Sequence, residues 1–173
     1  MNMELLTAAA GRLPEFEQLC AAMEGGACPV ALSGAAAVHR AHLAAAVALN
    51  TKRPVVVVCA DEGECQRMAR DLSSLTQRAV PILSPRPFTF HRTAAVSHQW
   101  EQQRLALMDA MGKGEIPVLV AGIEALLQRT LSPETLEACC ARLEVGAQVD
   151  LNELTERLTR AGYSRCHQFI VSV

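Results

Sequence analysis

The sequence predicts an α/β fold, a three-layer sandwich around a mainly parallel sheet. Two observations predict it. Short apolar runs recur at 29–33, 54–60, 80–83, 117–121 and 141–145, separated by segments of helical period. The run Pro54-Val-Val-Val-Val-Cys-Ala60 does not alternate with polar residues, which fits a strand buried on both faces of a parallel sheet. Strands and helices alternating at this spacing fold through right-handed crossovers, with helices on both sides of the sheet.

The helical segments carry their own signals. Pro14 opens a helix where a missing N–H costs nothing. Phe16, Leu19, Cys20 and Met23 then form one apolar stripe, and Gly25-Gly26 ends it. The run at 29–33 stops at Gly34, and an alanine-rich helix is expected over 35–49. After the strand at 54–60, Asp61 and Glu64 stand nearly as a capping box. Cys65, Met68, Ala69, Leu72 and Leu75 continue from there as a helical stripe. A short strand at 80–83 leads into Ser84-Pro85-Arg86-Pro87, a loop because two prolines forbid regular structure. A long helix ends near Met111, and strand 117–121 precedes a short helix over 122–129. Ser132-Pro133 starts another helix, and 141–145 reads as a fifth strand. Asp150 caps a last helix with Glu153 as its box partner and Leu151, Leu154, Leu158 and Ala161 as its apolar face. Gly162 ends that helix, and 163–173 reads as a strand.

Composition excludes several functions. Half of the 173 residues are hydrophobic, but aromatic residues are only 3%, so the core is built of Ala, Val and Leu. A net charge of −2 lacks the basic excess of a nucleic-acid footprint. It also gives no attraction to a membrane surface. The N-terminus has no signal-peptide pattern, and His39, Arg40 and His42 break the alanine run, so no membrane span is expected. Seven scattered cysteines contain no Cys-x-x-Cys pair and read as reduced thiols of a cytoplasmic protein.

Strand, glycine turn and helix at 29–50 is the geometry of a phosphate-binding loop, where helix N–H groups and the positive dipole end meet an anion. That loop needs a glycine, four residues, then Gly-Lys-Ser/Thr. Here Gly34 is followed after four residues by His39-Arg40-Ala41. His39 crowds the space a glycine leaves for the phosphates. Arg40 keeps a cation, but as a planar fork. Ala41 has no hydroxyl for magnesium. The loop therefore reads as degenerate, a scaffold with neither nucleotide nor catalytic residue nor metal.

Other candidates have a chemical and a structural reading. Asp61-Glu62 after a strand could hold magnesium and activate water; the stripe behind it favours a helix cap. Phe88, Phe90, His91 and Arg92 could stack on nucleic-acid bases; without a wider basic patch, a loop anchored by its phenylalanines is favoured. His39 and His42 share a helix face at i, i+3, but a metal site needs further ligands that spacing does not reveal.

The order of pieces resembles one family. The degenerate loop region 30–40, the strand-turn 53–61, Val118-Leu-Val-Ala-Gly-Ile-Glu-Ala-Leu-Leu127, Leu143-Glu-Val-Gly-Ala-Gln-Val-Asp-Leu-Asn-Glu-Leu154 and Leu158-Thr-Arg-Ala-Gly-Tyr-Ser-Arg165 carry the likeness. Together they resemble the N-terminal region of the bacterial transcription-repair coupling factor, Mfd. That region is similar to the front of UvrB. UvrB itself fits less well, because it keeps an intact Gly-Lys-Thr loop and inserts a long aromatic hairpin for which 88–100 is too short.

The resemblance implies a helicase-like but non-catalytic module. It implies an N-terminal helical segment at 1–28, a degenerate P-loop-like α/β domain at 29–145, and at 146–173 the start of a small α+β domain that meets UvrA. Arg165 is the nominated contact. It further implies that ATP, magnesium, DNA and RNA polymerase belong to other domains of an ATP-dependent DNA translocase. The competing expectation is a working helicase-like nucleotide-binding enzyme of UvrB type, with Arg40 and Asp61 as active groups. A Rossmann-like small-molecule domain is weaker, because no glycine triplet follows a strand.

Overall fold

The computed structural model describes residues 3–27, 29–86, 99–141 and 143–164. The chain divides into two compact units, Met1–Arg129 and Thr130–Val173.

The first unit begins with two helices. Helix α1, Met3–Ala10, lies within the helical segment 1–28 that the resemblance implies, although no local signal marked it. Helix α2, Pro14–Glu24, starts on its proline as expected. Phe16 is buried against Ala46 and Val47, with Leu19, Cys20 and Met23 packed around them. The predicted stripe is thus seated on the alanine-rich helix, with Val55 of the sheet also packed against the cluster.

That helix, α3, runs Ala37–Thr51. Ala41, Ala45 and Ala48 face one cluster, which holds Cys59, Leu72 and Val120. Ala46 and Val47 face the other, with Ala10 and Phe16. Burial on two sides explains the composition. A helix packed between layers approaches closely when its side chains are single methyl groups, and interiors leave no room for more.

The sheet holds three strands among the described residues: β1 Val55–Cys59, β2 Ile82–Leu83 and β3 Val118–Gly122. All pairs are parallel, in the order β1-β3-β2. Val55 to Cys59 register with Val118 to Gly122, and Ile82 with Val120. Helix α4, Glu62–Thr76, and α3 cover one face, onto which Val118 and Val120 point. Helices α5, Gln99–Gly112, and α6, Ile123–Leu127, flank the other. There Leu119, Ala121 and Leu83 meet Ala125 and Leu107.

The α/β class holds, with three corrections to the strands. The run at 29–33 is no strand; it is irregular, and Val30 and Leu32 stand about half exposed. A short proline-led run gains nothing from extension unless a neighbour pairs with it. Nor is there a strand among the described residues of 141–145, where Leu143 and Val145 are exposed. The valine run also departs from the expected burial on both faces. In β1, Val56 and Val58 are 47% and 51% exposed, and only the face of Val55, Val57 and Cys59 is covered. Burial on both faces belongs to the central strand, β3.

The predicted caps are present. The Asp61 carboxylate accepts the Glu64 N–H at 2.7 Å, and the Glu64 carboxylate accepts the Ala60 N–H at 3.0 Å. Every member of the stripe from Cys65 to Leu75 is buried.

The second unit contains α7, Pro133–Cys139, and α8, Leu151–Arg160. The Ser132 hydroxyl caps α7 by accepting the Thr135 N–H. Asp150 caps α8, accepting from Asn152 and Glu153 N–H at 2.7 and 3.3 Å. Leu154 and Leu158 are half-buried while Leu151 is exposed, and Gly162 closes the helix at φ +92°. Tyr163 and Ser164 form no regular element. The rest of the expected terminal strand, Arg165 and the cluster from Phe88 to Arg92 lie outside the described residues.

Candidate functional site

The loop before α3 is where sequence reasoning placed a lost phosphate site. Gly34 adopts φ +79°, a conformation that suits glycine, so the tight turn is real. Behind it each altered side chain has a protein partner. The His39 Nδ1 accepts the Ala36 N–H at 3.3 Å, which turns the ring back over the start of the helix. The Arg40 guanidinium lies 3.7 Å from the Glu64 carboxylate on α4. Ala41 has no exposed surface and packs into the core. The structure therefore brings Arg40 beside the cap of α4, an encounter the spacing did not reveal.

A second feature is a cleft of about 230 Å³ at the C-terminal ends of the strands. In open α/β sheets ligands bind at this end, where loops leave the strands in different directions. The carboxylates of Asp61, Glu62 and Glu124 line it, with the Ser84 hydroxyl and Cys65. Among the described residues no lysine or arginine is in that lining. An anionic ligand would thus meet like charge, and Asp61 is already engaged as a helix cap.

Two thiols sit behind the cleft. Cys59 ends β1 and Cys65 lies in the first turns of α4; both are buried. Burial, the neighbouring Cys65 and nearby Glu64 push the Cys59 thiol up to about 11. Burial likewise raises Cys65. Thiols held protonated in this way are poor nucleophiles and poor metal ligands. No metal-binding group of three or more His, Cys, Asp or Glu forms among the described residues.

One wall of the cleft is pinned by residues that sequence reasoning did not single out. The Gln128 side chain clamps the backbone of Arg86, its Oε1 accepting the N–H at 2.6 Å and its Nε2 donating to the carbonyl at 3.2 Å. The Arg104 guanidinium donates to the carbonyls of Ser84 and Ala125 at 2.8 and 3.3 Å. It also lies 5.7 Å over the Trp100 ring. Burial, then the charge of Arg86, lowers its pKa from the usual value. Arg86 itself pairs with Glu101 at 2.6 Å. These contacts join positions up to 42 apart, and no local pattern marks them.

Fold and cleft define a mixed α/β module with a small parallel sheet and an acidic mouth at its strand ends. Comparison narrows the class. The transcription-repair-coupling factor of Bacillus subtilis (strain 168) is 26% identical over 153 residues, 87% of this chain and 13% of that protein. The factor of Myxococcus xanthus is 29% identical over 140 residues, 76% of this chain and 11% of that protein. The resemblance to transcription-repair coupling factors is borne out, and the chain spans only about an eighth of the length of these curated relatives. No protein-family model matches the chain. No solved structure matches it either. Among the described residues no helix is long and apolar enough to cross a membrane.

Proposed function

We propose that this chain is a UvrB-like, non-catalytic module of a transcription-repair coupling factor, acting in transcription-coupled nucleotide excision repair. The observation that carries the proposal is the similarity to two such factors over most of the chain. The parent protein is then an ATP-dependent DNA translocase that displaces stalled RNA polymerase. Its ATP, magnesium and DNA sites lie on other domains, and the cytoplasm is its place of work. This module serves for packing within the parent and for docking UvrA. The docking surface belongs to the second unit, with Arg165 as the nominated contact.

The chemistry of the first unit supports the absence of catalysis. A triphosphate needs open N–H groups, a free cation and a hydroxyl for magnesium. Here His39 folds back on Ala36, Arg40 is drawn to Glu64, and Ala41 is a core methyl. The cleft nearby is acidic.

Calorimetric titration with a non-hydrolysable ATP analogue and magnesium tests the reading. No binding is expected. Micromolar, metal-dependent binding would overturn it in favour of a working helicase-like domain using Arg40 and Asp61. The docking half is tested by pull-down with UvrA, comparing this chain with one extended by some tens of residues. Capture by neither removes it.

A further inference from the structure

Strand β1 lies at one edge of the sheet, with β3 on one side and no strand on the other among the described residues. Backbone groups alternate sides along a strand. The Val55 N–H donates to Pro117 at the foot of β3. By alternation Val55, Val57 and Cys59 bond inward, so Val56 and Val58 direct their N–H and C=O groups to the open edge. The side chains of those same two valines are the half-exposed ones. An apolar edge of this kind invites another strand. Charges and prolines usually guard such an edge, but here they stand only at its ends.

We propose that the open edge of β1 seats a second copy of this chain, paired antiparallel about a two-fold axis at Val57. The edge is self-complementary. In an isologous pair each residue meets the one equally far beyond the axis. Val56 then faces Val58 and Val55 faces Cys59, and beyond the strand ends Lys52 and Arg53 of one copy come near Asp61 and Glu62 of the other. Both ends of the strand therefore meet opposite charge. Lys52, Arg53, Asp61 and Glu62 are all exposed, and neither basic residue has an ion pair within the chain among the described residues.

The backbone accounting agrees. Val56 and Val58 exchange N–H···O=C bonds with Val58 and Val56 of the other copy. The next edge-facing pair is Pro54 with Ala60. Pro54 has no N–H, and the Ala60 N–H is already held by Glu64 at 3.0 Å. The ladder ends there with no donor stranded. Valine beside valine on the exposed face adds a β-branched cross-strand contact. The result is a continuous six-stranded sheet, built from three parallel strands of each copy. This inference is independent of the repair function proposed above.

Sedimentation velocity over about a hundredfold range of concentration tests it, since dimer population follows mass action. A monomer–dimer equilibrium is expected, with Val56 and Val58 amides that gain protection from hydrogen exchange as concentration rises. Lys52→Glu alone sets a new carboxylate against Glu62 of the other copy at both ends, and Glu62→Lys alone sets a new ammonium against Lys52. Each is expected to weaken the dimer about tenfold. Mixing the two variants gives a heterodimer with opposite charge at both ends, as the double variant does with itself; both are expected to recover the dimer of the parent chain. These surface changes leave the core untouched, so folding does not obscure the result. A monomer at every concentration overturns the proposal. So does a dimer indifferent to the charge swaps. Val56 and Val58 amides protected in the monomer also overturn it, because another part of the same chain then fills the edge.

Discussion

Ala45 has no exposed surface and sits in α3 where that helix meets α4 and the sheet. Replacing it with leucine adds three carbons at a position touching two layers. Three terms compete. Helix propensity changes by only about 0.2 kcal/mol, since alanine and leucine are both strong helix formers. If the site had spare volume, burying three carbons would stabilise by roughly 2 kcal/mol. If the layers are in contact, overpacking costs about 1–3 kcal/mol. The position is sealed on the α4 side while Ala46, next to it, is sealed against Phe16. Overpacking is therefore expected to win, and Ala45→Leu to destabilise by about 2 kcal/mol. Urea unfolding followed by far-ultraviolet circular dichroism reads this as a fall in midpoint of roughly 1 M with an unchanged slope. Val38→Leu is the control. Val38 lies on the same helix at 58% exposure, and its change is expected to stay within about 0.5 kcal/mol. An Ala45→Leu variant as stable as the parent, or more stable, would refute the claim that packing on two sides explains the alanines.

Two further outcomes follow from the caps and thiols. Asp61→Ala leaves the Glu64 N–H without its acceptor and is expected to cost about 1 kcal/mol in the same urea assay, while Asp61→Asn retains most of the cap; equal losses for both would mean that charge, not the hydrogen bond, matters. Cys59 titrates near 11 when folded, above its ordinary 9.0, so its contribution is full below pH 9 and is lost as pH rises towards 11. The loss is of order 2 kcal/mol. Urea midpoints measured below and above that window should show it, and Cys59→Ala should flatten the profile; a profile that Cys59→Ala leaves unchanged would count against the buried thiol as its source.

Much of both units was legible because the signals are local. Asp61 and Asp150 cap the helices predicted for them, and Pro14 and Pro133 each open one. The stripe from Cys65 to Leu75 names the buried face of α4 without error. What misled was the step from apolar run to strand. The runs at 29–33 and 141–145 carry the same composition as real strands, but a strand is made by its neighbour, and neighbours are not local. The candidate site divides the same way. The absence of Gly-Lys-Ser/Thr after Gly34 can be read residue by residue. The meeting of Arg40 with Glu64, and the pinning of Arg86 by Gln128, depend on contacts across the chain.

By itself the sequence determined the α/β class, the helix starts and stops, the absence of a Gly-Lys-Ser/Thr triplet at His39, Arg40 and Ala41, and the likeness to transcription-repair coupling factors. Only the tertiary structure decided that β3 rather than the valine run lies at the centre, that α3 is enclosed on two sides, and that one flank of β1 stays open among the described residues. The reason is range. Caps, turns and periodicity act within a few residues of themselves, whereas strand order and burial are settled by which distant segments meet first and how closely their side chains allow them to approach.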